Sequence, residues 1–153
     1  DYRSSRGLGD VYKRQVKHLV KNKIPVLGHI GITPQTAKGK FRSKGKTESE
    51  IRKLLKDARD LEQSGAFGIV LECIYSDISK QITNAINIPT IGIGASVNCD
   101  GQVLVTDDLI GLNETKFRFV KKFGNIKKNI KSAVIKYKNS VKKNKFPSKK
   151  NSY

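Results

Sequence analysis

Apolar positions in the first part of the chain change from a helical period to a continuous run. Val16, Leu19 and Val20 lie at helical spacing, whereas the run from Ile24 to Gly28 is unbroken and ends at a glycine. Continuous apolar runs of this length are typical of strands in parallel sheets, because such sheets are buried on both faces. The pattern therefore predicts a helix followed by a buried strand.

A second helix is predicted to begin at Thr47. Thr47 and Glu50 have the spacing of a capping box, in which each side chain accepts a hydrogen bond from the other residue's backbone N–H. The next apolar residues repeat at helical spacing, and Gly65 is suited to the left-handed conformation that ends many helices. These apolar residues are Ile51, Leu54, Leu55, Ala58 and Leu61.

Three later apolar runs predict three more strands, at residues 69–74, 90–94 and 102–105. Ser76 is predicted to cap a short helix that continues to Ala85. The segment between the last two strands is too short for a crossover helix, so these neighbours need a tight or unusual link.

The last part of the chain is predicted to be helical. Phe117, Val120 and Phe123 suggest one set of amphipathic turns, and a longer terminal helix comes after them, with lysines on its other face. The apolar positions of the terminal helix are Ile126, Ile130, Ala133, Val134, Tyr137 and Val141.

Strands that alternate with helices predict an α/β fold with a parallel sheet. Four strands are half of a (β/α)8 TIM barrel, a fold that usually spans about 250 residues. We expect the last four β/α units of such a barrel at residues 16–115 and a basic helical extension at 116–153. Residues 1–15 share neither the pattern nor the composition of the rest of the chain, and they resemble a translated sequencing-adaptor tail. They are predicted to be a non-native leader, with the native start further upstream.

The positive charge is concentrated at one end of the chain. Of 31 Lys and Arg residues, 14 lie in 116–153, where no acid occurs, which leaves 17 against 13 acids in 1–115. A basic nucleic-acid-binding protein is therefore an alternative. The lysines mostly lie opposite an apolar face and form no recognised reader motif, which favours a solvated helix face. A non-catalytic assembly module is a third hypothesis, since half a barrel exposes sheet edges.

Cysteine usage and hydropathy indicate a reducing, cytoplasmic location. Cys73 and Cys99 form neither a CxxC motif nor a cluster with histidines, so they are predicted to be buried free thiols. No apolar run approaches the roughly 20 residues that span a bilayer, and no membrane partner is expected.

Glu72 is the most informative single residue, because it interrupts an apolar strand. An ionised carboxylate in such surroundings is costly unless it is paired, bound to a metal or protonated. At the carboxyl end of a barrel strand it would point into the active-site mouth, where a general acid or base is needed. The alternative is a structural carboxylate paired with a nearby Lys or Arg.

Three other sets of residues are candidates for chemistry. His29 is predicted to close the first strand between glycines, where an imidazole can bind a substrate oxygen or be purely structural. Asp107 and Asp108 come after the last predicted strand and could bind a metal, although a helix cap is the usual explanation. Gly92 and Gly94 lack the third glycine of a dinucleotide-binding loop.

Four motifs in order resemble those of ketopantoate hydroxymethyltransferases, over a stretch from about Val16 to Pro147. These motifs are Ile24 to Gln35, Gly65 to Phe67 with Val70 to Cys73, Ile88 to Ala95, and Cys99 to Val105. One departure from the family pattern is a shorter loop after Gln35, which lacks the family's paired glycines. A related hypothesis is a metal-dependent enolate-forming enzyme of the phosphoenolpyruvate mutase and isocitrate lyase group, but the motifs favour the first family.

The resemblance implies a barrel enzyme that transfers a hydroxymethyl group from 5,10-methylenetetrahydrofolate to 3-methyl-2-oxobutanoate in pantothenate biosynthesis. It implies Glu72 as proton acceptor and His29 as substrate contact. It also implies Mg²⁺ that holds the 2-oxo acid and stabilises the developing enolate, and a homo-oligomer. The family's metal ligands lie on the first four strands, so none is expected in this chain, and we expect the isolated fragment to be inactive.

Overall fold

The computed structural model describes residues 8–32, 42–114 and 117–153, with side chains from residue 13 onward. Most of the predicted loop at 34–46, including the shortened segment after Gln35, lies outside these ranges. The chain divides into two compact units, Asp1–Val103 and Leu104–Tyr153. This division falls before the predicted boundary at residue 115.

The first unit alternates helices and strands, as the sequence pattern predicts. Its described elements are α1 (Leu8–Lys21), β1 (Leu27–Gly31), α2 (Glu48–Gln63), β2 (Gly68–Glu72), α3 (Ser76–Ala85), β3 (Thr90–Ile93) and β4 (Gly101–Gln102). The four strands form one parallel sheet in the order β1-β2-β3-β4, so each strand pairs with its neighbours along the chain. The predicted α/β fold with a parallel sheet is confirmed.

The core lies on one face of this sheet. Ile69 and Leu71 of β2 are fully buried and pack with residues of α2 and α3 in one apolar cluster. Val70 and Glu72 alternate with them and are only partly buried. The expectation that this strand is buried on both faces is therefore wrong for the described residues, since side chains alternate across a strand and only one face meets the helices.

β1 and β4 differ most from the predicted strands, and β2 ends at Glu72, two residues before its predicted end. β1 starts at Leu27, three residues later than predicted, and it continues to Gly31, two residues beyond His29, which was predicted to close it. Its bounds follow from pairing with β2, in which Leu27 lies opposite Gly68 and Gly31 opposite Glu72. β4 contains only Gly101 and Gln102, which pair with Ile91 and Gly92 of β3, and another helix begins at Thr106.

The short link between β3 and β4 is a polar loop at residues 94–100. The Asp100 carboxylate accepts hydrogen bonds from the Thr90 N–H at 2.8 Å and the Thr90 hydroxyl at 2.9 Å. The Gln102 side-chain amide donates to the Ser96 carbonyl at 2.7 Å. These bonds let parallel neighbours join without the usual crossover helix of a dozen or more residues.

The ends of α2 agree with the sequence signals. The Glu50 N–H donates to the Thr47 hydroxyl, and the Glu50 carboxylate accepts from the Lys46 and Gly45 N–H groups, one and two residues before the cap. The Lys46 N–H is the main cause that lowers the pKa of Glu50. Gly65 has a φ of +90°, as predicted for a helix end.

The helices α1 and α3 begin differently from the predicted ones. Val16 is buried on α1, as its spacing predicts, but the helix begins at Leu8 and so includes residues 8–15 of the predicted leader. The origin of residues 1–15 stays a prediction. Ser76 is the first residue of α3 and makes no cap, because Tyr75 occupies the cap position.

The second unit is dominated by one long helix. Its described elements are α4 (Thr106–Leu109), α5 (Ile126–Lys142) and a 3-10 turn (Lys149–Asn151). The predicted terminal helix is thus confirmed, and no residue of α5 is buried. Phe117, Val120 and Phe123 lie outside any helix, contrary to the prediction. The Phe117 ring stacks on Phe119 instead, with centroids 5.7 Å apart.

Candidate functional site

The carboxyl ends of β1 and β2 bring the two principal candidate residues together. Glu72 is the last residue of β2 and lies opposite Gly31, the last residue of β1. His29 lies two residues earlier on β1, and alternation places its side chain on the same face as that of Glu72. The predicted position of Glu72 at a strand's carboxyl end is confirmed.

The two side chains are in direct contact. His29 Nε2 lies 2.9 Å from Glu72 Oε2, which is hydrogen-bond distance. The Glu72 side chain is 17% exposed and that of His29 is 33% exposed, so both remain open to solvent or a ligand. Among the described residues no Lys or Arg pairs with Glu72. For that part of the chain, this excludes the alternative that Glu72 is a structural carboxylate in an ion pair with Lys or Arg.

Hydrogen bonds from two strands hold the backbone at Glu72. The Ile32 N–H donates to the Glu72 carbonyl at 3.0 Å, and the Cys73 N–H donates to the Ile93 carbonyl at 2.9 Å. Cys73 has a φ of +52°, a left-handed conformation that is uncommon outside glycine. The peptide between Glu72 and Cys73 is therefore fixed from β1 on one side and from β3 on the other.

Cys73 is a buried free thiol, as predicted, and Cys99 is another. Burial raises the pKa of the Cys73 thiol to about 11, with a smaller contribution from the negative charge of Glu72. The thiol is therefore protonated at neutral pH, and since the thiolate is the nucleophilic form, Cys73 is not suited to nucleophilic catalysis.

Sequence reasoning did not single out a serine pair beside this edge of the sheet. The Ser76 hydroxyl donates to the Ser96 hydroxyl at 3.1 Å and so joins the start of α3 to the loop after β3. Ser96 is buried and also accepts from the Asn98 N–H and side-chain amide. Nothing local in the sequence marks this pair, because the two serines meet only when the sheet forms.

Asp107 and Asp108 belong to the second unit. Both lie in the first turn of α4, where the helix dipole stabilises a negative charge. The cap residue is Val105 and not an aspartate. Asp108 is buried and accepts a hydrogen bond from the Asn113 side chain at 3.2 Å. Within the described ranges no three His, Cys, Asp or Glu residues are grouped so that they could hold a metal ion.

In the part of the chain that the structure describes, no helix combines the length and the apolar character that crossing a bilayer requires.

Fold and site together define a class of protein. A carboxylate and an imidazole in contact can exchange a proton with a bound molecule and orient each other while they do so. Parallel α/β proteins carry their active sites at the carboxyl ends of the strands. The chain is therefore an α/β protein with a carboxylate and an imidazole in contact where enzymes of this class place their catalytic groups.

Comparison with known proteins assigns the family. The profile of the ketopantoate hydroxymethyltransferase family matches residues 7–149. Relatives named 3-methyl-2-oxobutanoate hydroxymethyltransferase include one from Pelagibacter ubique strain HTCC1062, 56% identical over 138 residues, which are 90% of this chain and 53% of that protein. The relative from Clostridium botulinum strain 657 is 48% identical over 148 residues, 95% of this chain and 54% of its own length. The relative from Pyrobaculum aerophilum is 50% identical over 143 residues, 92% and 55% respectively.

The chain belongs to the ketopantoate hydroxymethyltransferase family. It spans about half the length of the curated relatives it matches.

Proposed function

We propose that this chain forms the C-terminal half of an enzyme that transfers a hydroxymethyl group from 5,10-methylenetetrahydrofolate to 3-methyl-2-oxobutanoate. The observation that carries the proposal is the contact between Glu72 and His29 at the carboxyl edge of the sheet, in a chain of this family. The contact supplies an acid–base pair, and the family supplies the reaction in which such a pair is needed.

The sheet supports the (β/α)8 barrel as the architecture of the whole protein. In a barrel of this type every strand is parallel to its neighbours and pairs with the strands before and after it in the chain. The order β1-β2-β3-β4 has this property, whereas doubly wound sheets reverse their strand order at a switch point. The partly exposed face that carries His29, Val70 and Glu72 would then be the interior of the barrel.

Glu72 is the proposed proton acceptor. Its carboxylate removes the single proton on C3 of 3-methyl-2-oxobutanoate, so that the C–H bond breaks and an O–H bond forms on Glu72. The electron pair moves into a C2–C3 double bond, and negative charge develops on the carbonyl oxygen. The enolate carbon C3 then bonds to the methylene carbon of the folate as one of that carbon's two C–N bonds breaks. Water supplies the hydroxyl group as the second C–N bond breaks. The two nitrogens take up the proton held by Glu72 and one proton of the water, which gives tetrahydrofolate and returns Glu72 to the carboxylate.

His29 is the proposed substrate contact and also orients the base. Nδ1 of His29 makes no hydrogen bond to another residue in the described ranges, while Nε2 contacts Glu72. In the imidazolium form both ring nitrogens are donors, so Nδ1 can donate to a substrate oxygen while Nε2 donates to Glu72. A carboxylate held by a fixed neighbour loses fewer orientations when it reacts, which favours catalysis. The hydrogen bond between Ser76 and Ser96 links the start of α3 to the adjacent loop.

Mg²⁺ is part of the proposal, with ligands in the half of the enzyme that precedes the matched segment. The described residues of this chain contain no group of three potential ligands, so they do not fit a magnesium site and no step is assigned to the ion here. We also propose a cytoplasmic homo-oligomer that is incomplete, and inactive, as this chain alone.

The proposal is tested by completing the enzyme. The part of the Pelagibacter ubique relative that precedes the matched segment is joined to this chain, which is 56% identical to the segment it replaces. The joined protein is expected to form product from both substrates and to exchange the C3 proton of 3-methyl-2-oxobutanoate for deuterium, followed by proton NMR.

Glu72→Gln in the joined protein is expected to lower the exchange rate by about 100-fold or more, because a general base commonly contributes 10²–10⁴-fold. Glu48→Gln is the matched control, since Glu48 is an exposed glutamate of α2 whose partner is Arg52. Exchange at the unmodified rate in Glu72→Gln would exclude Glu72 as the base. A joined protein that folds but is inactive with an intact Glu72 would count against the proposed function itself.

A further inference from the structure

We infer that Gly31 is a positioning residue for Glu72, a role that rests on the proposed function of Glu72 as the base. Gly31 touches no reacting atom in this inference. It acts because β1 can approach the backbone of Glu72 only where β1 has no side chain.

The close approach is between Gly31 and the peptide of Glu72. A Cβ added to Gly31 would lie 3.0 Å from the Glu72 carbonyl carbon, 3.1 Å from its nitrogen and much closer to its carbonyl oxygen. All three atoms are backbone, so they cannot rotate away as the end of a side chain can. A residue with a Cβ would have to push the two strand ends apart by most of an ångström.

The backbone at Glu72 is held by hydrogen bonds on both sides. Its carbonyl accepts from Ile32, the residue after Gly31, and the next peptide N–H donates to Ile93 of β3. Cys73 turns the chain immediately afterwards with a φ of +52°. A displacement on the β1 side would therefore change the position of the Glu72 carboxylate relative to His29, which lies on the same strand as Gly31.

The conformation of Gly31 adds a second requirement for glycine. Its φ of +111° is a value that residues with a side chain rarely adopt. Gly65 has a comparable φ of +90°, but its added Cβ would meet the Val20 side chain at 2.8 Å, far along the chain from the site. Gly28 lies on β1 as well, and its added Cβ would meet the Leu61 side chain at 2.9 Å. Gly65→Ala therefore tests the effect of backbone strain, and Gly28→Ala tests the effect of an added methyl group on β1. Neither added Cβ would contact Glu72.

The experiment compares Gly31→Ala, Gly65→Ala and Gly28→Ala in the joined protein. Thermal unfolding gives the stability of each variant, and C3 proton exchange gives kcat and KM. All three alanine variants are expected to lose stability. Only Gly31→Ala is expected to lose kcat, by about 100-fold with KM changed less than about threefold, because misplacement by about 1 Å can cost that much.

A double-mutant cycle distinguishes positioning from general disruption. If Gly31 acts through Glu72, adding Gly31→Ala to Glu72→Gln is expected to leave the residual exchange rate unchanged. A further loss in the double variant, or kcat in Gly31→Ala equal to that of Gly65→Ala, would overturn the inference while leaving Glu72 as the base.

Glu72→Asp tests the same inference if Gly31→Ala does not fold. The shorter side chain withdraws the carboxylate by one methylene without altering the backbone. Loss of kcat by about 100-fold is expected. An Asp variant that keeps the unmodified rate would show that the position of the carboxylate is not critical, and the inference would be wrong. The proposed function fails separately, if Glu72→Gln keeps the unmodified rate.

Discussion

The two compact units use apolar side chains in different ways. In the first unit Ile69, Leu71 and Ile82 have no exposed surface and form a core between the sheet and its helices. In the second unit α5 carries a comparable set of apolar residues at helical spacing, yet Ile130 is 50% exposed and Val134 59% exposed. Amphipathic spacing therefore identifies a helix in both units, but it produces a core only where other elements pack on the apolar face.

This difference predicts that the same Ile→Ala substitution lowers the free energy of unfolding by unequal amounts in the two units. Ile82→Ala is expected to lower the free energy of unfolding by about 2–5 kcal/mol, because it removes buried methyl groups and leaves a cavity. Ile130→Ala, the matched change on α5, is expected to cost less than about 0.5 kcal/mol, as for most surface substitutions. Urea unfolding of the 153-residue chain, followed by circular dichroism, measures both. Equal costs would show that α5 is packed in solution.

The N-cap residues of α2 and α5 allow the same comparison of the two units, with a smaller expected change in stability. Thr47 caps α2, and Asn125 caps α5 by accepting from the Lys128 N–H at 3.2 Å. Thr47→Ala is expected to cost about 1 kcal/mol of global stability, because α2 is part of the packed unit. Asn125→Ala is expected to reduce the helix content measured by circular dichroism with little change in the urea midpoint. If Asn125→Ala shifted the urea midpoint as much as Thr47→Ala does, α5 would contribute to global stability as α2 does, and the prediction would be wrong.

The smallest expected effect concerns the loop that joins β3 to β4. The pKa of Asp100 is lowered from its ordinary value of 3.8, mainly by the hydrogen bond from the Thr90 N–H and next by the one from the Thr90 hydroxyl. The ionised carboxylate therefore stabilises the folded state above about that pH, and this contribution is lost as the pH falls through the lowered pKa. Solvent screening keeps it modest, since Asp100 is exposed.

Asp100→Asn tests this dependence. The variant is expected to be less stable than the unmodified chain near neutral pH, and the gap is expected to narrow as the pH is lowered below the ordinary pKa of 3.8, in urea unfolding under both conditions. Glu48→Gln serves as control, since its exposed carboxylate pairs with the Arg52 side chain. A gap that widens at low pH would show that the interaction with Thr90 does not favour the ionised form.

Local signals account for most of what could be predicted about this fold. The start of α2 at Thr47 and its end near Gly65 follow from side chains that satisfy backbone groups within a few residues. The strand around Glu72 was predictable because an apolar run interrupted by one carboxylate marks both the strand and its unusual position. The bounds of β1 and β4 were not, because hydrogen bonds to the neighbouring strand decide where a parallel strand begins and ends.

The sequence by itself singled out the two principal candidates for chemistry: a carboxylate in an apolar strand, and a histidine between glycines. Only the tertiary structure decided that Glu72 and His29 meet, that Gly31 must lack a side chain beside Glu72, and that Ser76 joins Ser96. The physical reason is distance along the chain. Residue type and periodicity report interactions within a few residues, whereas His29 and Glu72 are 43 residues apart and come together only through the register of two parallel strands.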